Sequence, residues 1–185
     1  MKPFLFIVSL FFTLTSCVKH SELTKSFDCK TTKLNNLITV NDFKKNFKIN
    51  IPNTWKTELY YDNYQSEIFT ADTLKQLSET YILKVSFNYG NLHFNNSFHK
   101  KTDSLITNSN LQKIKSKTIK FQNRPAYWYL VKGSKNGFNY HQFNLIVLNS
   151  ENTYFTANSE IYGDKNIEAR VCESISILEK IEFLQ

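Results

Sequence analysis

The chain has 185 residues, with 23 lysines and arginines against 16 aspartates and glutamates, a formal charge of +7, and 15% aromatics against only 4 glycines and 3 prolines. So many aromatic rings and so few chain breakers exclude a low-complexity or disordered polypeptide and point to one packed core. The positive excess is nearly all lysine, with Arg124 and Arg170 the arginines present; this argues against a nucleic-acid reader built on arginine clusters and for solubility, or weak attraction to anionic headgroups and acidic glycans.

Lys2 and the apolar run from Phe4 to Leu14 read as the first two regions of a signal peptide. A run this short does not cross roughly 30 Å of hydrocarbon as a helix. The small-residue pattern of ordinary secretory cleavage is missing, since the first alanine is Ala71. The run ends instead in Leu14-Thr15-Ser16-Cys17, which resembles the lipobox of bacterial lipoproteins. The resemblance implies that the Cys17 thiol is alkylated by diacylglycerol, that residues 1–16 are removed, and that the new amine is acylated, for instance with palmitate. A thiol is the nucleophile that can become a stable thioether, and small neighbours let a peptidase reach the bond. Each buried CH₂ adds about 0.8 kcal/mol, so two or three chains hold a protein on the bilayer. Val18 comes after the cysteine where inner-membrane retention would typically show Asp, which favours the outer membrane of a Gram-negative cell envelope.

Removing the signal leaves about 168 residues, enough for a single core. Residues 17–41 are polar and read as a lipid-anchored tether; a flexible segment of that length spans about 25 to 30 Å. Residues 42–45 are expected as a helical turn leading into a globular domain over 42–185. Phe47, Ile49 and Ile51 alternate with Lys48 and Asn50, the period of a half-buried strand, which Pro52 stops. Trp55 comes next in a turn, and residues 67–71 offer a second strand. Alternation over 81–89 is the clearest strand signal in the chain.

At residues 97–107 the spacing changes, placing Phe98, Leu105 and Ile106 on one helical face behind Asn96 or Ser97 as N-cap. Strands are predicted over 111–121, 126–131, 138–148 and 153–162, separated by turns at Asn123-Arg124, Asn136-Gly137 and Ser150-Glu151-Asn152. The segment 143–148 is apolar on both faces and belongs inside a sheet with cover on each side. Asp164 is the expected N-cap of a closing helix whose stripe is Ile167, Val171, Ile175 and Leu178, with Cys172 beside it. Residues 181–184 add a terminal edge strand. With Cys17 lipidated, Cys29 and Cys172 remain as an even pair in a compartment that permits disulfides. The sequence leaves both a bridge and two separate thiols open; a bridge would close a loop of about 140 residues and contribute on the order of 5 kcal/mol as an upper estimate.

The opening Phe47-x-Ile49-x-Ile51-Pro52-x-x-Trp55, the hairpin through Asn123-Arg124-Pro125-Ala126 and the amphipathic helix ending in Glu173-Ser174-Ile175 resemble the PsbP-like superfamily over roughly residues 42–185. The resemblance implies an α+β fold, a central and mostly antiparallel sheet of about six to seven strands with helices on both faces, an α/β/α sandwich. The superfamily includes photosystem II extrinsic proteins, a Ran-binding import factor and many bacterial lipoproteins. Its members share no reaction, so the resemblance implies a non-catalytic binding or scaffolding module without naming a partner.

The residue types that could carry chemistry are sparse. His93 and His99, six apart, flank Asn95 and Asn96 before the crossover helix without a zinc-ligand spacing, His20 lies in the tether and His141 on a strand; no metal and no cofactor is expected. The glycines form neither a nucleophile elbow nor a phosphate loop, although Glu67, Asp72 and Glu79 could converge as acids. Tyr60, Tyr61 and Tyr64 crowd one polar connection near Trp55, where amphipathic rings could stack on sugars or anchor a protein. Tyr127, Trp128 and Tyr129 occupy a strand and read mainly as core. Lys113, Lys115 and Lys117 alternate along one strand face, with Lys120 and Arg124 behind them, as a positive stripe or a solvated edge protected from aggregation. Asp72-Thr73-Leu74 and Asp103-Ser104-Leu105 resemble bacterial O-glycosylation tripeptides. The resulting expectation is an envelope lipoprotein that touches the membrane through its anchor and binds a protein or glycan, with no nucleic acid. An envelope hydrolase or sugar-binding accessory factor using residues 60–64 is the alternative.

Overall fold

The computed structural model describes residues 21–30, 32 and 34–184. The expected signal peptide, Cys17 and His20 lie outside the described residues. No described helix is long and apolar enough to cross a membrane.

The strands are β1 (Leu37–Asn41), β2 (Phe47–Pro52), β3 (Lys56–Tyr61), β4 (Gln65–Ala71), β5 (Ile82–Tyr89), β6 (Gln112–Phe121), β7 (Arg124–Lys135), β8 (Phe138–Ser150), β9 (Thr153–Tyr162) and β10 (Glu182–Phe183); the helices are α1 (Glu22–Ser26), α2 (Asn96–Asn108) and α3 (Ile167–Leu178). Seven strands form an antiparallel sheet in the order β3-β4-β5-β9-β8-β7-β6. A second, three-stranded sheet has the order β1-β2-β10. The fold is the expected α+β arrangement.

Alternation places one side of every central strand in the core. Leu83, Val85 and Phe87, then Phe155 and Ala157, then Phe143, Leu145 and Val147, then Trp128 and Ala126, form one continuous apolar layer. Phe47, Ile49 and Ile51 of β2 and Val171, Ile175 and Leu178 of α3 close it from above. The opposite side is covered near β7 by α2, where Phe98 and His99 pack edge-on against Tyr127, centroids 5.6 and 4.9 Å away. Helices therefore lie on both faces. The doubly apolar run of β8 sits between β7 and β9, as its pattern requires.

Where it is described, the polar segment expected as a tether is folded onto the domain. Leu23 of α1 is 1% exposed, and Phe27 lies 4.6 Å from Trp128 between ring centroids. Cys29 and Cys172 form a disulfide, and β1 pairs with β2 along its whole length. The reason is tertiary: one leucine, one phenylalanine and a covalent bond hold a stretch whose local hydropathy is that of a linker. Within the described residues the folded body therefore begins at Ser21, and the expected boundary at residue 42 falls between two paired strands.

Local differences have equally local causes. Residues 42–45 form no helical turn; Asp42 Oδ1 accepts from Phe47 N at 2.8 Å and Oδ2 from Asn46 Nδ2 at 3.0 Å, closing a tight side-chain-capped turn. Helix α2 is capped by Asn95, whose Oδ1 accepts from Phe98 N at 2.9 Å, one residue earlier than expected, and Leu105 points to solvent. Asn166, in the left-handed region, occupies the N-cap of α3; Asp164 instead accepts from Asn139 Nδ2 at 2.6 Å. The β6–β7 turn is Gln122-Asn123, both at positive φ.

Arg170 is 5% exposed, and its fork donates to four main-chain carbonyls, of Thr80 (2.8 Å), Tyr162 (2.9 Å), Gly163 (3.4 Å) and Lys165 (2.6 Å). It ties α3 to the loop before β5 and the end of β9.

Candidate functional site

The two outer strands of the central sheet, β3 and β6, are built differently. An outer strand presents unpaired amides and carbonyls and invites pairing with another chain unless charge, a bulge or cover blunts it. β6 is blunted on every count. It carries Lys113, Lys115, Lys117 and Lys120, its register shifts between Lys113 and Lys115, and α1 and α2 both pack beside it.

That bulge overturns the single stripe expected of these lysines. Lys115 is opposite Leu130 and Lys117 opposite Trp128, on the side of α1, whereas Lys113 is opposite Val131, on the side of α2. Lys113 Nζ bonds Asp103 of α2, while Lys115 Nζ donates to Ser26 O at 2.9 Å. A one-residue slip sends a side chain to the other face.

β3 has no bulge and no lysine beyond Lys56 at its start. Leu59, Tyr60, Tyr61 and Tyr64 are 42, 50, 56 and 74% exposed. Tyr60 and Tyr61 were expected in a connecting loop; they lie on this strand, opposite Glu67 and Ser66. They therefore point to opposite faces. Tyr61 stacks on Phe43 at 3.7 Å and 3°, and the Tyr60 hydroxyl donates to Glu58. Tyr64 sits in the turn before β4, where Asp62 Oδ1 accepts from its N–H at 2.7 Å. The three rings wrap an edge instead of forming one flat platform. Phe43, from a turn of another segment, is the partner that sequence reasoning missed; only the exposed apolar residue in a polar turn signalled it.

The remaining candidates disperse. Glu67 lies 2.8 Å from Lys84, Asp72 3.2 Å from Lys75 and Glu79 3.7 Å from Lys165, so the three acids serve three different ion pairs. His93 is exposed while His99 packs on Tyr127. Burial pushes the His141 imidazole below its usual range. Among the described residues no group of three or more His, Cys, Asp or Glu side chains is placed to hold a metal ion. Tyr127 and Trp128 are buried and Tyr129 half-buried; desolvation, with the neighbouring Tyr127 adding to it, pushes the Tyr129 hydroxyl up to about 12. Thr73 and Ser104 of the two tripeptides are exposed.

A cleft of about 480 Å³ opens beside the β6 edge. Its floor includes Leu23, Phe121 and Ile175, and Lys30, Lys120 and Lys180 line it. Glu179 Oε1 accepts from Ser21 Oγ and, at 2.6 Å, from Thr24 Oγ1, fixing the first described residues to this spot.

No protein-family model matches the chain, and no curated protein matches its sequence. Solved structures do match its shape. The solution structure of cyanobacterial PsbP (CyanoP) from Synechocystis sp. PCC 6803 aligns with a TM-score of 0.60 at 9% identity, covering 84% of this chain and 96% of that one. A point mutant of the protein Mog1 aligns with a TM-score of 0.52 at 9% identity, covering 81% and 97%. The fold is PsbP-like, and at such identities the likeness speaks of fold alone.

Proposed function

We propose that this protein is a cell-envelope lipoprotein, anchored through Cys17, whose domain binds a protein partner along the free β3 edge and catalyses nothing. The observation that carries the reading is the contrast between the two outer strands: β6 is protected by lysines and a bulge, and β3 leaves its backbone beside exposed Leu59, Tyr60 and Tyr61. Strand addition at such an edge takes affinity from main-chain hydrogen bonds and specificity from alternate side chains. Tyrosine supplies contact area at low entropic cost. The outer membrane is the membrane favoured by Val18.

A photo-crosslinking residue at position 64 in intact cells tests this. Strand addition predicts a discrete protein adduct that disappears when Leu59→Lys and Tyr61→Lys give β3 the charge protection β6 already has, with melting temperature nearly unchanged. An adduct indifferent to both lysines would refute binding at this edge. Replacing Cys17 by Ser should release the protein from the membrane fraction.

A further inference from the structure

We propose that the β6 edge and its lysine-lined cleft dock on anionic phospholipid headgroups, holding the domain with β3 pointing away from the bilayer. The proposal rests on the lipoprotein reading and adds an orientation to it. Cys17 is four residues before Ser21, so at most about 14 Å of chain separates the lipid from the first described residue. Ser21 is fixed at the cleft by Glu179. The surface within reach of so short a leash is therefore the β6 side, with α1 and the end of α3.

That side is positive. Lys30 and Lys180 line the cleft and are exposed, as are Lys115 and Lys117 on its side of the adjoining strand; Lys120, whose N–H meets Glu22 at the cleft, is exposed at the strand's outer edge opposite Pro125. None of the five forms an ion pair among the described residues. The acids of that side are Glu22, Asp28 and Glu179, fewer than its five lysines: Glu179 accepts from Ser21 and Thr24, Glu22 Oε1 accepts from Lys120 N at 3.3 Å, and Asp28 is exposed beside Cys29. Juxtamembrane lysines are drawn to anionic headgroups within a Debye length of the surface. The aromatic strand is at the opposite end of the same sheet. Six strand spacings put β3 about 29 Å from β6, well beyond the headgroups.

The test uses acylated protein from membranes, reconstituted in neutral vesicles and in vesicles containing phosphatidylglycerol. With Cys17 in a thioether and Cys29 bonded to Cys172, one introduced cysteine carries a fluorophore, at Gln122→Cys beside the cleft or at Tyr64→Cys beyond β3. Docking predicts that lipid-borne quenchers reach position 122 and not 64, more strongly in the anionic than in the neutral vesicles, and that Lys30→Gln, Lys117→Gln and Lys180→Gln together abolish that dependence on lipid charge. Equal quenching at both positions, or quenching indifferent to lipid charge or to the lysines, overturns it while leaving the anchor intact. If the native protein carries no acyl mass, the anchor fails instead. Docking is then read from salt-sensitive co-sedimentation with anionic vesicles, weakening about fivefold per lysine removed; no lysine dependence there overturns it too.

Discussion

The bond between Cys29 and Cys172 joins the segment after α1 to the middle of α3 across 143 positions of sequence. It closes most of the chain into one loop, so it limits the unfolded ensemble more than the folded one. Reducing it, or replacing both cysteines by serine, should lower stability by about 3 to 5 kcal/mol in chemical denaturation. An unchanged midpoint would mean that the bond constrains nothing.

Leu23 distinguishes a folded segment from a free tether. It is 1% exposed within the main core, so Leu23→Ala should cost about 3 kcal/mol. A thermal melt that does not move would return residues 21–30 to the status of a linker.

Arg170 holds four carbonyls with one planar fork. Arg170→Lys should be destabilising by about 3 kcal/mol, because a single ammonium cannot span that set and carbonyls would be left buried without donors. Urea unfolding of the variant reads this directly, and retention of wild-type stability would contradict it.

Tyr129 gives a pH dependence of known sign. Its hydroxyl is pushed up to about 12, first by desolvation and then by Tyr127, whereas in the unfolded chain it ionises near 10. Between those values the unfolded state has lost a proton that the folded state keeps. Stability is intact below pH 10 and falls as pH rises toward 12, by about 2 kcal/mol from this residue after allowance for its partial exposure. Tyr129→Phe should flatten that part of the alkaline unfolding curve, and an identical slope in the variant would contradict the assignment.

The central strands were legible because burial of one face writes alternation into 81–89, and burial of both writes an apolar run into 143–148. β3 was not, since Lys-Thr-Glu-Leu-Tyr-Tyr is exposed on both faces at its outer end and carries no period. α1 and β1 were missed for another reason: each is 5 residues long, and what keeps them folded is a distant cysteine and a neighbouring strand. The tyrosines are legible as candidates, but their division between two faces of an edge, and the pairing of Tyr61 with Phe43, depend on strand pairing. The lysine stripe shows the same limit, because a single bulge reassigns Lys113 to the other face.

Cys17 bears most weight in the proposed reading, in which an anchor there would set both the location of the protein and the direction in which β3 faces. Intact mass of the protein extracted from membranes of its own cells is the most direct measurement. Lipid anchoring predicts a chain beginning at Cys17 with the added mass of a diacylglyceryl group and an amide-linked acyl chain. A chain beginning elsewhere, or an unmodified Cys17, would contradict it.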